Sequence, residues 1–231
     1  MGKVDRALVR DVGAVALAAG VVGVSFGALA VAAGMPVWMA VLMSVVVFAG
    51  GSQFVAVGMV AAGGSPVAAV LAGLLLNARH LPFGLVVADV LGRKWPMKLL
   101  GAHLMVDESV AFALAQRDPE RRRAAYWMCG GLLFVGWNVG VVAGGWIGQT
   151  VGNPESLGLD AAFPACMLAL LLPSLMAPKK QEEVVAGADA KATKARRVAV
   201  VGALIALAAT PLLPAGLPVL LSILAVGVAL R

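Results

Sequence analysis

The chain has 231 residues, of which 61% are hydrophobic and 13% are charged, and its formal net charge is +6. A soluble domain has about 25% charged residues, so this composition excludes an ordinary soluble protein. The apolar runs are also too long for an outer-membrane barrel, whose strands are short and alternate apolar with polar residues. The basic residues lie in short clusters between these runs, which argues against nucleic-acid binding and is typical of the loops of a membrane protein.

Apolar runs recur along the whole chain and predict an all-α polytopic integral membrane protein with a single transmembrane domain, residues 1–231. We expect a helix bundle of about seven or eight membrane-embedded elements, some of them broken or re-entrant. The predicted elements are residues 12–33, 37–62, 67–91, 97–116, 124–151, 161–177, 198–213 and 217–230. The first run is too long for the apolar core of a cleavable signal peptide.

The second element is interrupted near its middle by the segment FAGGSQF, residues 48–54. Gly50 and Gly51 weaken a helix, and Ser52 and Gln53 bring hydrogen-bonding groups to membrane depth. A broken helix exposes free N–H or C=O groups that can bind the carboxylate or the ammonium group of an amino acid. The alternative is a structural kink in which Gln53 hydrogen-bonds a neighbouring helix.

The third element contains Asn77, Arg79 and His80 within an otherwise apolar stretch. An arginine in lipid costs about 2.5–3.5 kcal/mol on insertion scales, so such residues usually face a polar path or a protein partner. On a helix Asn77 and His80 share one face, and Arg79 points about 100° away from His80. Two interpretations remain for Arg79, namely contact with a substrate and pairing with an acidic residue that holds the bundle together.

The fourth element contains His103, Asp107 and Glu108. His103 and Asp107 are four residues apart, so on one helix they share a face. Such a pair could exchange a proton, because histidine titrates near neutrality and burial favours the protonated form of a carboxyl group. The alternative is an ion pair between Asp107 or Glu108 and Arg79 that joins two elements.

The charge distribution predicts a cytoplasmic N-terminus, cytoplasmic residues 117–123 and a polar cytoplasmic loop at residues 178–197. Eight plain spans would leave one basic loop, with Arg93, Lys94 and Lys98, on the opposite side. This conflict disappears if the third and fourth elements both dip into the membrane without crossing it. Non-helical backbone is allowed at that depth where protein or a water-filled cavity covers it. Plain spans remain the alternative.

The fifth element has glycines at a spacing of four, namely Gly136, Gly140, Gly144 and Gly148. On a helix this spacing makes a ridge without side chains, against which another helix can pack closely. Internal packing is favoured over a partner interface. No internal sequence repeat is evident by eye.

No sequence motif indicates catalysis or a bound cofactor. Cys129 and Cys166 lie in apolar segments without the spacing of a metal site, so we expect no metal. The chain has no phosphate-binding loop and none of the usual hydrolase or metalloprotease motifs. We therefore expect neither a cofactor nor an enzyme.

Five segments together resemble the AzlC family, the large subunits of bacterial branched-chain amino acid exporters. They are residues 24–36 (VSFGALAVAAGMP), 48–54 (FAGGSQF), 77–84 (NARHLPFG), 106–113 (VDESVAFA) and 160–175 (DAAFPACMLALLLPSL). The resemblance implies export of leucine, isoleucine, valine and sometimes methionine, driven by the proton-motive force. It also implies a bacterial inner-membrane location and a small hydrophobic partner subunit of the AzlD type.

The resemblance implies that the buried polar residues bind the substrate or couple its transport to protons. The expected substrate-binding residues are Gly50, Gly51, Ser52, Gln53, Asn77, Arg79 and His80. The expected proton-coupling residues are His103, Asp107 and Glu108. One rival interpretation is a membrane assembly or sensor subunit that does not transport and whose polar residues only join helices. Another is a membrane-embedded enzyme that uses Asp107, Glu108 and His80.

Overall fold

The computed structural model describes residues 6–151, 188–213, 221–225 and 227, and the described residues form helices and no strands. The helices are α1 (Arg6–Ala32), α2 (Val37–Val46), α3 (Gly50–Ala61), α4 (Pro66–Asn77), α5 (His80–Val86), α6 (Trp95–His103), α7 (Asp107–Leu114), α8 (Pro119–Val151) and α9 (Ala188–Ala209), followed by a 3₁₀ turn at Ser222–Ala225. The all-α membrane class is therefore confirmed. The predicted element at 161–177 lies outside the described residues, as do residues 178–187 and most of 217–230. The second half of the predicted polar loop at 178–197 is helical, because α9 already begins at Ala188.

Glycine and proline set the ends of several helices. Gly34, Gly63 and Gly92 each lie in the turn between two helices. Their φ angles are 89°, 77° and 90°, a conformation that residues with a side chain rarely adopt. Pro66 and Pro96 lie in the first turns of α4 and α6. Proline is tolerated there because the N–H groups of a first turn make no hydrogen bond within the helix.

Three described segments are long and apolar enough to cross a membrane, namely Arg6–Ala32, Pro66–Val86 and Pro119–Val151. The second and fourth predicted elements are instead each broken into two short helices, of 10 and 12 residues and of 9 and 8 residues. At 1.5 Å per residue α6 extends about 14 Å, roughly half of the hydrocarbon core.

The long helices α1 and α8 pack together and run parallel. A β-carbon added at Gly136 would lie 2.7 Å from the carbonyl oxygen of Ala16, and one added at Gly148 would lie 2.9 Å from that of Ala28. The glycine ridge of α8 thus contacts the backbone of α1, which confirms the prediction of internal packing. We call the end where both helices begin the first end of the bundle, and the opposite one the second end.

The first hairpin, α2–α3, enters from the second end and returns to it. Val37 approaches Gly145 near the end of α8, whereas Ser44 donates a 2.8 Å hydrogen bond to Asn138, so α2 runs antiparallel to α8. Val60 of α3 then lines an apolar cavity of about 440 Å³ with Met39 of α2. The hairpin therefore turns within the bundle, at residues 47–49, which we call the first tip.

Helices α4 and α5 together cross the bundle. Pro66 at the start of α4 lines the same cavity as Met39, at the second end. Val86 at the end of α5 accepts a 2.6 Å hydrogen bond from Arg122, near the start of α8. For this element the path agrees with the plain-span alternative and not with a dip, because α5 continues the path of α4 after a short turn.

The second hairpin, α6–α7, enters from the first end and returns to it. Tyr126 donates a 2.7 Å hydrogen bond to the carbonyl of Gly101, and a β-carbon at Gly130 would lie 2.7 Å from the carbonyl of Leu104, so α6 runs parallel to α8. In α7, Val110 and Ala113 pack in one cluster with Tyr126. For this element the path agrees with the re-entrant hypothesis, because the hairpin returns to the end from which it enters. Its turn, residues 104–106, is the second tip.

This topology removes the conflict in the charge pattern. The loop between α5 and α6 lies at the first end, where a β-carbon at Gly92 would be 3.2 Å from the guanidinium of Arg123. Arg93 and Lys94 therefore lie at the same end of the bundle as residues 117–123 and the start of α1. The basic residues at the start of α1, in the α5–α6 loop and at 117–123 thus share one end of the bundle, which is the arrangement that the positive-inside rule describes.

Candidate functional site

The two tips meet in the middle of the bundle, against α8. The ring of Phe48 lies 6.3 Å from that of His103, centroid to centroid, and both contact Phe134, at 5.1 and 5.6 Å. Two helix breaks that enter from opposite ends of the bundle are thus joined through three rings.

At the first tip, α3 begins with the predicted residues Gly50, Gly51 and Ser52. These are the first three positions of the helix, so their N–H groups have no intrahelical acceptor. The hydroxyl of Ser52 donates a 2.9 Å hydrogen bond to the carbonyl of Ala49. The start of a helix also bears a partial positive charge, so this turn suits an anionic group.

Gln53 follows in the same turn and is completely buried. Neither its amide nitrogen nor its amide oxygen has a hydrogen-bond partner among the described residues. The structural alternative, in which Gln53 hydrogen-bonds a neighbouring helix, is therefore not observed. A buried polar group without a partner costs about 1–3 kcal/mol, so this amide is a candidate contact for a ligand.

Aromatic side chains fix the first tip against α1 and α8. A β-carbon at Gly50 would lie 2.8 Å from the ring of Trp137, so only glycine allows this approach. Trp137 stacks on Phe26 at 5.9 Å, and Phe54 meets Phe26 edge-on at 5.4 Å. The first turn of α3 is therefore held by packing and does not depend on Gln53.

The predicted residues Asn77, Arg79 and His80 lie where α4 passes into α5. His80 Nδ1 is 3.0 Å from the carbonyl oxygen of Asn77, so this ring helps to close the turn. The side-chain oxygen of Asn77 is buried without a partner among the described residues. One turn before Asn77, Gly73 packs against Ser52, which brings α4 alongside α3.

Arg79 forms an ion pair with Asp107, at 3.2 Å between Nη1 and Oδ2. The pair joins the α4–α5 turn to the second tip, as one of the two sequence interpretations predicted. The side chains of Arg79 and Asp107 are 38% and 44% exposed, so the pair is only half-buried. The second carboxylate oxygen of Asp107 has no partner among the described residues.

The expected pairing of His103 with Asp107 on one helix face is wrong. Helix α6 ends at His103 and α7 begins at Asp107, so the break at residues 104–106 destroys the i,i+4 relation. His103 packs on Phe48 and Phe134, whereas Asp107 turns to Arg79. The prediction assumed one continuous helix, whereas the second tip separates the two residues.

At the second tip, Ser109 stabilises the start of α7. It is completely buried, accepts a 3.0 Å hydrogen bond from the N–H of Val106 and donates one of 2.9 Å to the carbonyl of Val106. Asp107 and Glu108 occupy the first two helical positions. Glu108 is partly buried and, among the described residues, forms no ion pair of its own.

Sequence reasoning missed several residues that position the site. Asn138 of α8 accepts the hydrogen bond of Ser44 and donates one of 2.8 Å to the carbonyl of Phe134, directly beside the tips. Trp127 donates a 3.0 Å hydrogen bond to the carbonyl of Val90 and, with Arg122, holds the end of α5. A lone asparagine inside a glycine-rich apolar helix was the available signal for Asn138.

The chemistry of this arrangement is recognition of charged and polar groups. No cluster of metal-ligating side chains occurs within the residues that the structure describes. What the tips offer is free backbone N–H groups, one buried amide and two carboxylates, lined by aromatic rings. Such a set suits a small molecule with both an anionic and a cationic group beside an apolar part.

Comparison with known proteins places these residues in a family. The family described as "AzlC protein" matches residues 14–151, which include both tips and the α4–α5 turn. The "Branched-chain amino acid transport protein AzlC" of Bacillus subtilis is 27% identical over 168 residues, 71% of this chain and 65% of that protein. The "Inner membrane protein YgaZ" of Escherichia coli is 32% identical over 160 residues, 67% of this chain and 62% of that protein.

An "Uncharacterized membrane protein" of Archaeoglobus fulgidus is 29% identical over 193 residues, 83% of this chain and 85% of that protein. No solved structure matches this chain. The similarity to the two bacterial relatives thus spans a little under two thirds of their length.

Proposed function

This chain belongs to the AzlC family, and we propose that it is a secondary transporter that exports branched-chain amino acids across the bacterial cytoplasmic membrane. The relative from Bacillus subtilis is named as a branched-chain amino acid transport protein, which supports the substrate class. The broken helices support transport, because secondary transporters bind their substrates at discontinuous helices near the middle of the membrane. The expected substrates are leucine, isoleucine and valine, with methionine as a further candidate.

The observation on which the proposal rests most is Gln53. Its amide is completely buried without a partner among the described residues, in the first turn of a helix that begins inside the bundle. A bound amino acid would satisfy this amide together with the free N–H groups of Gly50 and Gly51. Ligand binding thus explains both unsatisfied features at once.

The proton-motive force is the proposed energy source. The sequence has no nucleotide-binding loop, so this chain has no evident means of using ATP. Asp107 and Glu108 are the carboxylates at membrane depth whose protonation could change during the cycle. His103 remains a candidate only through its contact with the first tip, because it does not pair with Asp107.

The orientation follows from charge. Basic residues cluster at the first end of the bundle, at the start of α1, in the α5–α6 loop and within residues 117–123. This end is therefore proposed to face the cytoplasm. A cysteine placed at Ala124 should therefore resist a membrane-impermeant reagent added to intact cells and react after permeabilisation. Labelling in intact cells would contradict this orientation.

A small hydrophobic subunit of the AzlD type is the proposed partner. The glycine ridge of α8 is occupied by α1, so the partner requires another surface. We expect this chain alone to transport weakly and to gain activity when the second subunit is coexpressed. Full activity of this chain purified without any second polypeptide would contradict an obligatory partner.

Counterflow of labelled leucine into proteoliposomes tests the transport function. Gln53→Ala should lower the initial rate about tenfold, the equivalent of one lost hydrogen bond to a charged group. Thr150→Ala is a matched control, because Thr150 is exposed and bonds only to carbonyls of its own helix. No counterflow by the folded wild-type complex would favour the assembly or sensor interpretation, in which the Arg79–Asp107 pair only joins helices.

A further inference from the structure

The two hairpins are built alike at their tips. The first helix of each hairpin ends at Val46 or His103, and the second begins at Gly50 or Asp107, so an equal interval separates the helices. The third residue of each second helix is a serine, Ser52 or Ser109, and both hydroxyls donate 2.9 Å hydrogen bonds to the carbonyl of the residue before the helix.

The likeness extends to the sequence at one constant spacing. The same interval that separates Ser52 from Ser109 also separates identical residues earlier in the chain, namely Phe26 and Phe83, Gly27 and Gly84, Trp38 and Trp95, and Leu42 and Leu99. Each unit thus comprises the end of a membrane-crossing segment followed by a hairpin. Because the two hairpins enter from opposite ends of the bundle, the units form an inverted repeat.

Equivalent positions of the repeat have opposite electrostatic character. Gly50 and Gly51 at the first tip correspond to Asp107 and Glu108 at the second tip. The first tip therefore offers bare N–H groups and the positive end of a helix, whereas the second offers two carboxylates. An inverted repeat brings these two unlike tips to the same depth, where Phe48 and His103 are in contact.

Gln53 is an independent sign of a ligand at the first tip. Helical side chains lean toward the N-terminus of their helix, so the side chain of Gln53 lies on the side of its Cα that faces the tip. It is completely buried and without a partner among the described residues. At the second tip Arg79 forms its ion pair with Asp107 and acts on Glu108 only through a longer-range charge interaction, so the Glu108 carboxylate has no ion-pair partner among the described residues.

We infer that the two tips form one site for a zwitterionic amino acid, with the carboxylate at the first tip and the ammonium group at the second. The carboxylate accepts hydrogen bonds from the N–H groups of Gly50 and Gly51 and from the amide of Gln53. The ammonium group binds Glu108, and the apolar side chain contacts Phe48 and Phe134. This inference rests on the proposed transport of amino acids and adds the orientation of the substrate.

Competition by truncated ligands tests this division of the site. Labelled leucine is bound to the purified wild-type complex and displaced by leucine, by 3-methylbutylamine, which lacks the carboxylate, or by 4-methylpentanoate, which lacks the ammonium group. Glu108→Gln should weaken leucine and 3-methylbutylamine about tenfold and leave 4-methylpentanoate unchanged. Gln53→Ala should weaken leucine and 4-methylpentanoate and leave 3-methylbutylamine unchanged.

The controls separate this inference from the proposed function and from misfolding. Glu120→Gln removes an exposed carboxylate at the start of α8 and should change none of the three affinities. Glu108→Asp keeps the charge and should restore part of the leucine affinity. If the wild type binds leucine but both site variants weaken all three ligands equally, the inference is wrong and the proposed function stands. If the wild type neither binds nor transports leucine, both are wrong.

Discussion

The α1–α8 pair and the two hairpin tips use glycine for opposite purposes. Along α8, Gly140 and Gly144 lie against the backbone of α1, and a β-carbon at either would overlap a carbonyl oxygen there. At the first tip, Gly51 opens a helix in the middle of the bundle and leaves N–H groups without intrahelical partners. The first use produces a rigid pair of helices, and the second leaves backbone groups available to a ligand.

The two uses of glycine are connected, because the close α1–α8 pair covers the broken helix at membrane depth. Unpaired backbone groups are costly in lipid and are tolerated where protein covers them. The close packing of α1 on α8 brings the rings of Phe26 and Trp137 over the first turn of α3. The glycine ridge therefore supports the site, although it has no polar group of its own.

The largest expected loss of stability comes from a substitution in the α1–α8 pair. Gly144→Ala would push a methyl group into the carbonyl of Val24, and neither backbone can yield without separating the helices. We expect a loss of about 3 kcal/mol in stability, at the upper end of overpacking costs. Thermal unfolding of the detergent-solubilised complex, followed by size-exclusion chromatography, measures it.

Gly131→Ala is the matched control for this substitution. Gly131 lies on the same helix, and a β-carbon there meets nothing within 4 Å. This change should leave stability unchanged or raise it slightly, since alanine favours helix by about 1 kcal/mol over glycine. Equal losses for both variants would show that the contact of Gly144 with α1 is not what makes the substitution costly.

An intermediate effect is expected at the ion pair between the α4–α5 turn and the second tip. Asp107→Asn leaves Arg79 without its counter-ion. The pair is only half-buried, with exposures of 38% and 44%, so we expect a cost of about 1–2 kcal/mol, between those of exposed and buried pairs. Unfolding midpoints measure the cost, and Asp107→Asn combined with Arg79→Gln should recover part of it.

Transport assays on the same variant distinguish coupling from structure. If Asp107 is the coupling group, Asp107→Asn abolishes uphill export and leaves downhill exchange, because exchange needs no change of protonation. Asp11→Asn, at the exposed pair with Arg10 on α1, is the control and should cost less than about 0.5 kcal/mol. Normal stability together with normal uphill export would remove both proposed roles from Asp107.

The long helices were predicted well from the sequence, whereas the hairpins formed by the second and fourth elements were predicted only in part. The apolar runs at 12–33 and 124–151 correspond to α1 and α8, because length and composition suffice for a spanning helix. The same criteria cannot tell a crossing element from a hairpin of equal length. Direction inside the membrane depends on contacts with α8, such as that of Tyr126 with Gly101, which no local pattern encodes.

The site was predicted as a set of residues and not as an arrangement. Buried polar residues are costly in lipid, so Gln53, Arg79 and Asp107 stand out from composition alone. The position of the break after His103 was not predicted, because residues 104–106 contain neither glycine nor proline. The inverted repeat escaped notice because its identities are few, and only the equal helix bounds make their common spacing evident.

Two serine substitutions compare the two tips, and Ser52→Ala has the smallest expected effect. Ser109 both accepts a hydrogen bond from the N–H of Val106 and donates to its carbonyl, whereas the described bond of Ser52 is one donation to the carbonyl of Ala49. Ser109→Ala leaves the partly buried N–H of Val106 without its acceptor and should cost about 1–2 kcal/mol, within the range of lost helix caps. Ser52→Ala removes one donor to the carbonyl of Ala49, which still accepts a 3.1 Å hydrogen bond from the N–H of Gln53, and should cost about 0.5 kcal/mol.

Unfolding midpoints of the two serine variants, measured with and without saturating leucine, test this difference. Ligand binding raises the midpoint of any variant that retains the site. Because Ser109 supports the second tip, Ser109→Ala should lower both the midpoint and the stabilisation by leucine. Ser52→Ala should lower the midpoint less and keep most of that stabilisation, since the N–H groups of Gly50 and Gly51 remain. A larger loss for Ser52→Ala would instead mean that the first tip depends on its serine and that the packing of Trp137 on Gly50 does not fix it.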